Sequence, residues 1–285
     1  MWRSTTTSCG AAFRVRCARF VIGFWCVPIL AATLHAQVDT VGPGRPLFTW
    51  RDGLLAAGFA VGTVAIRPLD GRAAAALQNP VSQKNRTLQE AAFAFRTIAV
   101  PGAVIIGVSM YGVGRLAHNA RLAQLGLHGT EALFVGEGLG NVIKGSVGRA
   151  RPLVDTKNPN DYQLLRGFRS GDLYRSFPSG HTVAGFAAAA AVSAETSRWW
   201  PSSAWVIGPA MYGGAALVGV SRMYNNRHWA SDVIMGAAIG TFAGTKVVRY
   251  HITHPGNRID RWLLSASLDP ADLGSVSLSI LPHVR

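Results

Sequence analysis

From residue 54 onward the chain is a succession of apolar runs separated by polar or Gly- and Pro-marked connections, a pattern that predicts helices rather than strands. Residues 54–66 form the first run, 13 residues closed by Arg67 and Pro68. That is short for a membrane crossing, so it reads as a helix packed on the bundle or lying at the surface. Polar residues 79–86 follow as a loop, and helical periodicity resumes at Leu88. Residues 97–113 are long enough to span, with Pro101 as a candidate kink. The run 122–143 carries Glu131 and Glu137, which read as satisfied interior groups of a bundle, not obviously on one face with Lys144. Residues 153–177 are a long polar connection, a candidate lid. The alanine-rich run 182–194 and the runs 204–220 and 233–248 complete the pattern. In the last, Gly236, Gly240 and Gly244 recur every four residues and predict close helix packing. The fold class expected is all-α: an up-and-down helical bundle, membrane-embedded, with its site at one end.

Three polar strings interrupt these runs. Lys144 and Arg151 are seven apart, so both cations can project from one side of a helix before Pro152 stops it. Phe177-Pro178-Ser179-Gly180-His181-Thr182 reads as a turn that delivers backbone N–H groups and a hydroxyl to a helix N-terminus, where an anion is favoured. In Ser221–Asp232, Arg222 is a planar cation suited to phosphate, and His228 and Asp232 share a face if a helix opens after Asn226. A carboxylate there can hold one imidazole nitrogen and leave the other free to attack. The first string ends one helix, the second begins the next, and the third joins two more. In an up-and-down bundle all three meet at one end.

Together the strings K-x6-R-P, P-S-G-H and S-R-x5-H-x3-D resemble the signature of the phosphatidic acid phosphatase type 2 superfamily over roughly residues 96 to 250. That superfamily also holds soluble bacterial acid phosphatases and vanadium-dependent haloperoxidases. The resemblance implies His228 as the nucleophile that forms a phosphohistidine, Asp232 as its orienting partner and His181 as the acid on the leaving oxygen. It implies Lys144, Arg151, Ser179, Gly180 and Arg222 as ligands of the phosphoryl oxygens. No carboxylate or cysteine cluster with metal spacing lies near the motifs, so the cations would replace the usual metal and no cofactor is expected. The alternatives are a vanadate-dependent haloperoxidase, which would bind vanadate at the same residues, and a soluble periplasmic acid phosphatase. Because His228 must be neutral while His181 is charged, a bell-shaped pH profile centred in the mildly acidic to neutral range is expected.

Composition adjusts this picture little. The 285 residues carry a formal charge of +14 with only 15% charged residues. The basic residues form no stripe with interleaved aromatics, which argues against nucleic acid as a partner. They suit an anion site and the cytoplasmic loops of a membrane protein, with a phosphorylated lipid as substrate and membrane lipids as surroundings. Residues 1–36 resemble an export signal or an N-terminal anchor: arginines precede an apolar run, and Ala36 offers a cleavage point before Gln37. Cys9, Cys17 and Cys26 all lie in this segment. Residues 37–95 are read as linker and accessory helix, 96–250 as the catalytic bundle and 251–285 as a tail. The basic connections at 115–121, 198 and 246–261 fall opposite the motifs, which places the site outward provided residues 54–66 do not cross.

Overall fold

The computed structural model describes residues 45–264; the expected export segment and the end of the tail lie outside these. The described chain is helical almost throughout, with one isolated β-bridge between Arg149 and Tyr162. The helices are α1 (Trp50–Ile66), α2 (Asp70–Leu77), α3 (Pro80–Gln83), α4 (Arg86–Thr97), α5 (Ala103–Leu116), α6 (Ala120–Val147), α7 (Arg166–Arg169), α8 (Gly180–Trp199), α9 (Ala204–Tyr224), α10 (Ala230–Thr253) and α11 (Arg258–Leu263).

Helix α8 is the axis of the bundle, packed by α6, α9 and α10. Its alanines make that possible: Ala187, Ala189, Ala190 and Ala191 are completely buried and leave room for neighbouring backbones. The glycine rhythm of α10 meets them as expected. A Cβ on Gly240 would stand 2.3 Å from the Val183 carbonyl oxygen, and one on Gly244 2.5 Å from that of Ala187. Any side chain at either position would force the two helices apart.

The first apolar run departs from expectation. Arg67 and Pro68 do not close it; they form a single 3-10 turn through which α1 continues into α2. Proline is tolerated there because it sits in the first turn, where its missing N–H has no helical partner to lose. The result is a 28-residue helical segment, Trp50–Leu77. It runs antiparallel to α10, with Asp52 paired to Lys246 at 2.6 Å near one end and Asp70 bonded to the Ser231 amide at 2.8 Å near the other. With Arg86–Leu116 and Pro201–Tyr224, it is one of three described helical segments long and apolar enough to cross a membrane. Pro101 interrupts the second of these as anticipated, with non-helical backbone at Val100. Helix α10, at 24 residues, is about 36 Å long and so matches a bilayer in reach. Exposed Val61, Val64, Ile105, Val108, Phe134, Val142 and Trp205 give the outside of the bundle an apolar surface.

The three polar strings do converge at one end, where α6 and α9 finish and α8 and α10 begin. Segment 153–177 is no structureless lid. Arg166 bonds the Gly148 carbonyl and pairs with Asp161 at 2.9 Å, and the amides of Arg151 and Ser176 are tied to Leu173 and Arg149. These bonds fix the segment as a cover over the motif end of the bundle.

Candidate active site

Helix α6 ends earlier than the spacing of Lys144 and Arg151 suggested. Gly148 adopts φ +57, a left-handed conformation that caps the helix. A Cβ there would lie 2.2 Å from the Gln163 carbonyl oxygen, so the stop requires glycine. Lys144 therefore reaches the site from the last helical turn, and Arg151 from the extended chain beyond it.

The third string also folds differently from a continuous helix. Helix α10 opens at Ala230, because the Asp232 carboxylate turns back to accept the Trp229 N–H at 2.8 Å. His228 thus precedes the helix, and its Nδ1 lies 3.7 Å from Asp232 Oδ2, beyond hydrogen-bond range. Its real partner is the Ser176 carbonyl, at 2.7 Å. A carbonyl only accepts, so Nδ1 must carry the proton and Nε2 is the unprotonated nitrogen. Its lone pair accepts a hydrogen bond from Arg151 Nη1 at 3.2 Å, which a bound phosphoryl oxygen can draw away to leave Nε2 free to attack. Burial pushes the His228 imidazole down to about 4, against the opposing pull of nearby Asp232, so it is neutral at physiological pH.

Asp232 acts one step removed. Fully buried, it accepts the Ser176 hydroxyl at 2.5 Å and pairs with Arg149 at 2.5 Å, so it holds the segment whose carbonyl holds His228. Arg149 in turn binds Ser231 at 2.8 Å and Asp70 at 2.7 Å. Asp70 comes from the region read as linker and accessory helix, and nothing in its local pattern marks it.

Around the His228 lone pair lies a cavity of 650 Å³. Lys144, Arg151, Arg222, Gly180 and His181 line it, together with Arg96 and Arg227, which the motif reading did not include. Arg222 Nε is buried without a protein partner. Gly180 is closely approached: a Cβ there would stand 2.4 Å from Lys144 Nζ and 3.0 Å from the Glu137 carboxylate. Glu137 is therefore at the site, contrary to the expectation that it lies apart from Lys144; seven residues is two turns, which does put the two on one face. Ser179 does not line the cavity. It is completely buried, and its hydroxyl accepts a hydrogen bond from Thr182 at 2.8 Å. Arg151 is engaged by Asp172 at 2.6 Å, and burial of that carboxyl is outweighed by the cations, which hold it below the usual range. The remaining wall is apolar: Val100, Pro101, Val104, Leu133, Phe134 and Ala184. A cation-lined pocket with one apolar side can take a phosphoryl group attached to a hydrocarbon.

Comparisons with known proteins agree with this geometry. Residues 127–255 match the model of the PAP2 superfamily. Over 140 residues the chain is 33% identical to the Lipid A 1-phosphatase of Porphyromonas gingivalis, which covers 48% of this chain and 26% of that one. The match thus spans about a quarter of the relative's length. Among solved structures, the crystal structure of the first transmembrane PAP2 type phosphatidylglycerolphosphate phosphatase from Bacillus subtilis shares the fold, with a TM-score of 0.55 and 18% identity over 71% of this chain and 96% of that one.

Proposed function

We propose, from the premise that residues 127–255 of this chain are a PAP2 superfamily segment, that the protein is a membrane phosphatase which removes a terminal phosphoryl group from a lipid phosphate. The observation that carries this reading is the unprotonated Nε2 of His228, hydrogen-bonded to Arg151, in a cavity that is cationic on one side and apolar on the other. His228 Nε2 attacks phosphorus, the bond to the lipid oxygen breaks, and His181 gives that oxygen its proton. Water then attacks the phosphohistidine, with His181 taking the proton, and phosphate leaves. Lys144, Arg151 and Arg222 offset the charge that spreads over the equatorial oxygens, which is the larger part of phosphoryl-transfer catalysis. In this role the side-chain cations do what a metal does elsewhere, so turnover in chelator is expected. The Gly180 amide at the start of α8 adds a backbone donor. Lipid A 1-phosphatase as a relative and the apolar wall both favour a lipid over a soluble ester, and the three long apolar segments weigh against a soluble enzyme.

The test is phosphate release, in chelator and detergent micelles, from phosphatidate, lysophosphatidate, diacylglycerol pyrophosphate, phosphatidylglycerophosphate, a polyprenyl diphosphate and a lipid A phosphate. At least one should turn over, and orthovanadate should inhibit it. Activation by orthovanadate, with halide oxidation, would transfer the site to the haloperoxidase class. The pH profile has a stated sign. Above about 4 His228 is neutral and able to attack; as pH falls through that value it gains a proton and the rate falls. In the empty site burial and the neighbouring Arg222 push His181 down to about 3, so the proton it donates, and with it the alkaline limb, depends on the negative charge of a bound phosphoryl group. An acid limb near the ordinary histidine range, in place of one near 4, would contradict the buried neutral imidazole.

Orientation follows from two features that oppose one another. Helical segment Trp50–Leu77 reaches from the far end to the site end, so an exported residue 37 would leave the site on the cytoplasmic side. The connections at the far end carry Arg115, Arg121, Arg198, Arg249, Arg258 and Arg261, with Asp260 among them, and by the positive-inside rule they favour a site on the outer side. We give the basic connections the greater weight and place the site on the outer side. A Lys157→Cys variant should then react with an impermeant maleimide in intact cells; protection until the membrane is opened would reverse the assignment.

A further inference from the structure

At the end of the bundle away from the phosphate site, two histidines stack with ring centroids 3.9 Å apart, His128 of α6 and His251 of α10. Each has one nitrogen fixed by a carboxylate. His128 Nδ1 is 2.6 Å from Glu195 of α8, and His251 Nε2 is 2.6 Å from Glu131 of α6. Their other nitrogens, His128 Nε2 and His251 Nδ1, turn toward the same point, where Asp260 of α11 brings Oδ1 to 3.9 and 2.7 Å respectively. Among the described residues this is the one group of three whose imidazole and carboxylate ligand atoms all lie within 4.8 Å of one another. A cavity of 370 Å³ opens beside it.

A shared proton does not account for the whole arrangement. A charged His251 would satisfy both Glu131 and Asp260. His128 Nε2, however, is buried and has no hydrogen-bond partner, on a residue only 3% exposed. A buried imidazole nitrogen aimed at a carboxylate too distant to bond is an unmet polar group unless something sits between them.

We infer that His128 Nε2, His251 Nδ1 and Asp260 Oδ1 form a binding site for a divalent transition metal ion of the zinc class, with Glu195 and Glu131 as the carboxylates that orient the two imidazoles. The donor set supports the assignment: imidazole suits zinc, and two histidines with one carboxylate make a three-ligand set that leaves a position open toward the cavity. Carboxylates on the distal nitrogens are the usual support of metal-binding histidines, because they fix the tautomer and raise the basicity of the other nitrogen. Bonds of about 2.0 to 2.1 Å in a tetrahedron set ligand atoms about 3.3 Å apart, between the two separations found here. Entry of the ion requires Asp260 to move about 0.6 Å away from His251 and toward His128. It also requires the proton between them to leave, as it does whenever a histidine becomes a ligand. Asp260 sits on α11, a six-residue helix, so the motion is local.

The ion would be a staple. It would join α6, α10 and α11 directly and α8 through Glu195, and so fasten the C-terminal end of the described chain to the bundle. His128 lies sixteen residues before Lys144, about 24 Å along α6, so the ion has no direct part in phosphoryl transfer.

The test uses the full chain, purified in detergent without a polyhistidine tag and with Cys9, Cys17 and Cys26 alkylated, then stripped with chelator and dialysed against zinc. The expected result is one bound ion per chain and a higher unfolding temperature by tryptophan fluorescence. Both should be lost in His128→Gln and in Asp260→Asn, and kept in His228→Ala. Glu195→Gln should weaken zinc binding by about 10 to 100-fold. Phosphate release measured well below the unfolding temperature should not change with zinc, so failure here is distinguishable from failure of the phosphatase reading. The inference is overturned if the parent binds no zinc above background, or if a His128→Gln, Asp260→Asn double variant binds it as well as the parent.

Discussion

Replacing His228 with alanine is expected to lower phosphate release by more than about 10⁴-fold, the scale of losing a nucleophile that no neighbour can replace. None of the other cavity residues offers a comparable group. His181 is assigned the proton on the leaving oxygen, and the remaining polar lining consists of cations, Thr97, Glu137 and Asp172. The substitution also leaves the Ser176 carbonyl without its 2.7 Å partner, a penalty of about 1 to 3 kcal/mol for a buried acceptor. His228→Gln is the control for that effect, since its amide can donate to the carbonyl but cannot form the phosphoenzyme. Rapid acid-free quenching with radiolabelled substrate should trap an acid-labile phosphoprotein in the parent and none in either variant. Turnover in a folded His228→Gln protein comparable to the parent would remove the proposed nucleophile.

The sequence made the convergence of the motifs visible because each string sits at a helix end, and alternating helices return their ends to the same side of a bundle. The close packing of α8 and α10 was also visible, in the four-residue spacing of glycines. What sequence spacing could not reveal depends on contacts far apart in the chain. Segment 54–66 is short for a crossing if Pro68 stops the helix, and only the proline's place in a 3-10 turn shows that the helix continues. In Gly148-Arg149-Ala150-Arg151 two arginines alternate, and the pattern does not say which faces the cavity and which faces Asp232. Arg96 and Arg227 are ordinary basic residues until the fold sets them at the cavity. The assignment of Asp232 as direct partner of His228 assumed a continuous helix; the capping bond to Trp229 turned the carboxylate elsewhere. His128, Glu131, Glu195, His251 and Asp260 carry no motif, because four separate elements contribute them.

Arg149→Met is expected to destabilise the protein by about 3 to 5 kcal/mol, the range for breaking a buried ion pair from one side. Arg149 is 1% exposed and Asp70 and Asp232 are equally enclosed, so loss of the guanidinium leaves two carboxylates with no cation in a site that water does not reach. The side chain also donates to the Pro159 carbonyl at 2.6 Å and stacks over Tyr162 and Trp229, which ties the 153–177 cover to the bundle. For a chain of this size the loss corresponds to a fall in unfolding temperature of about 6 to 20 °C. Arg149→Lys should recover only part of it, since a single ammonium cannot reach Asp70, Asp232 and Ser231 in the planar fork that the guanidinium provides. Adding Asp70→Asn to Arg149→Met removes one stranded charge, so the double variant should be more stable than Arg149→Met alone and the cycle non-additive. Activity should fall with stability, because Asp232 and Ser176 hold His228 only while Arg149 holds Asp232. Equal unfolding temperatures for the parent and Arg149→Met would mean that the site is supported by something other than this arginine.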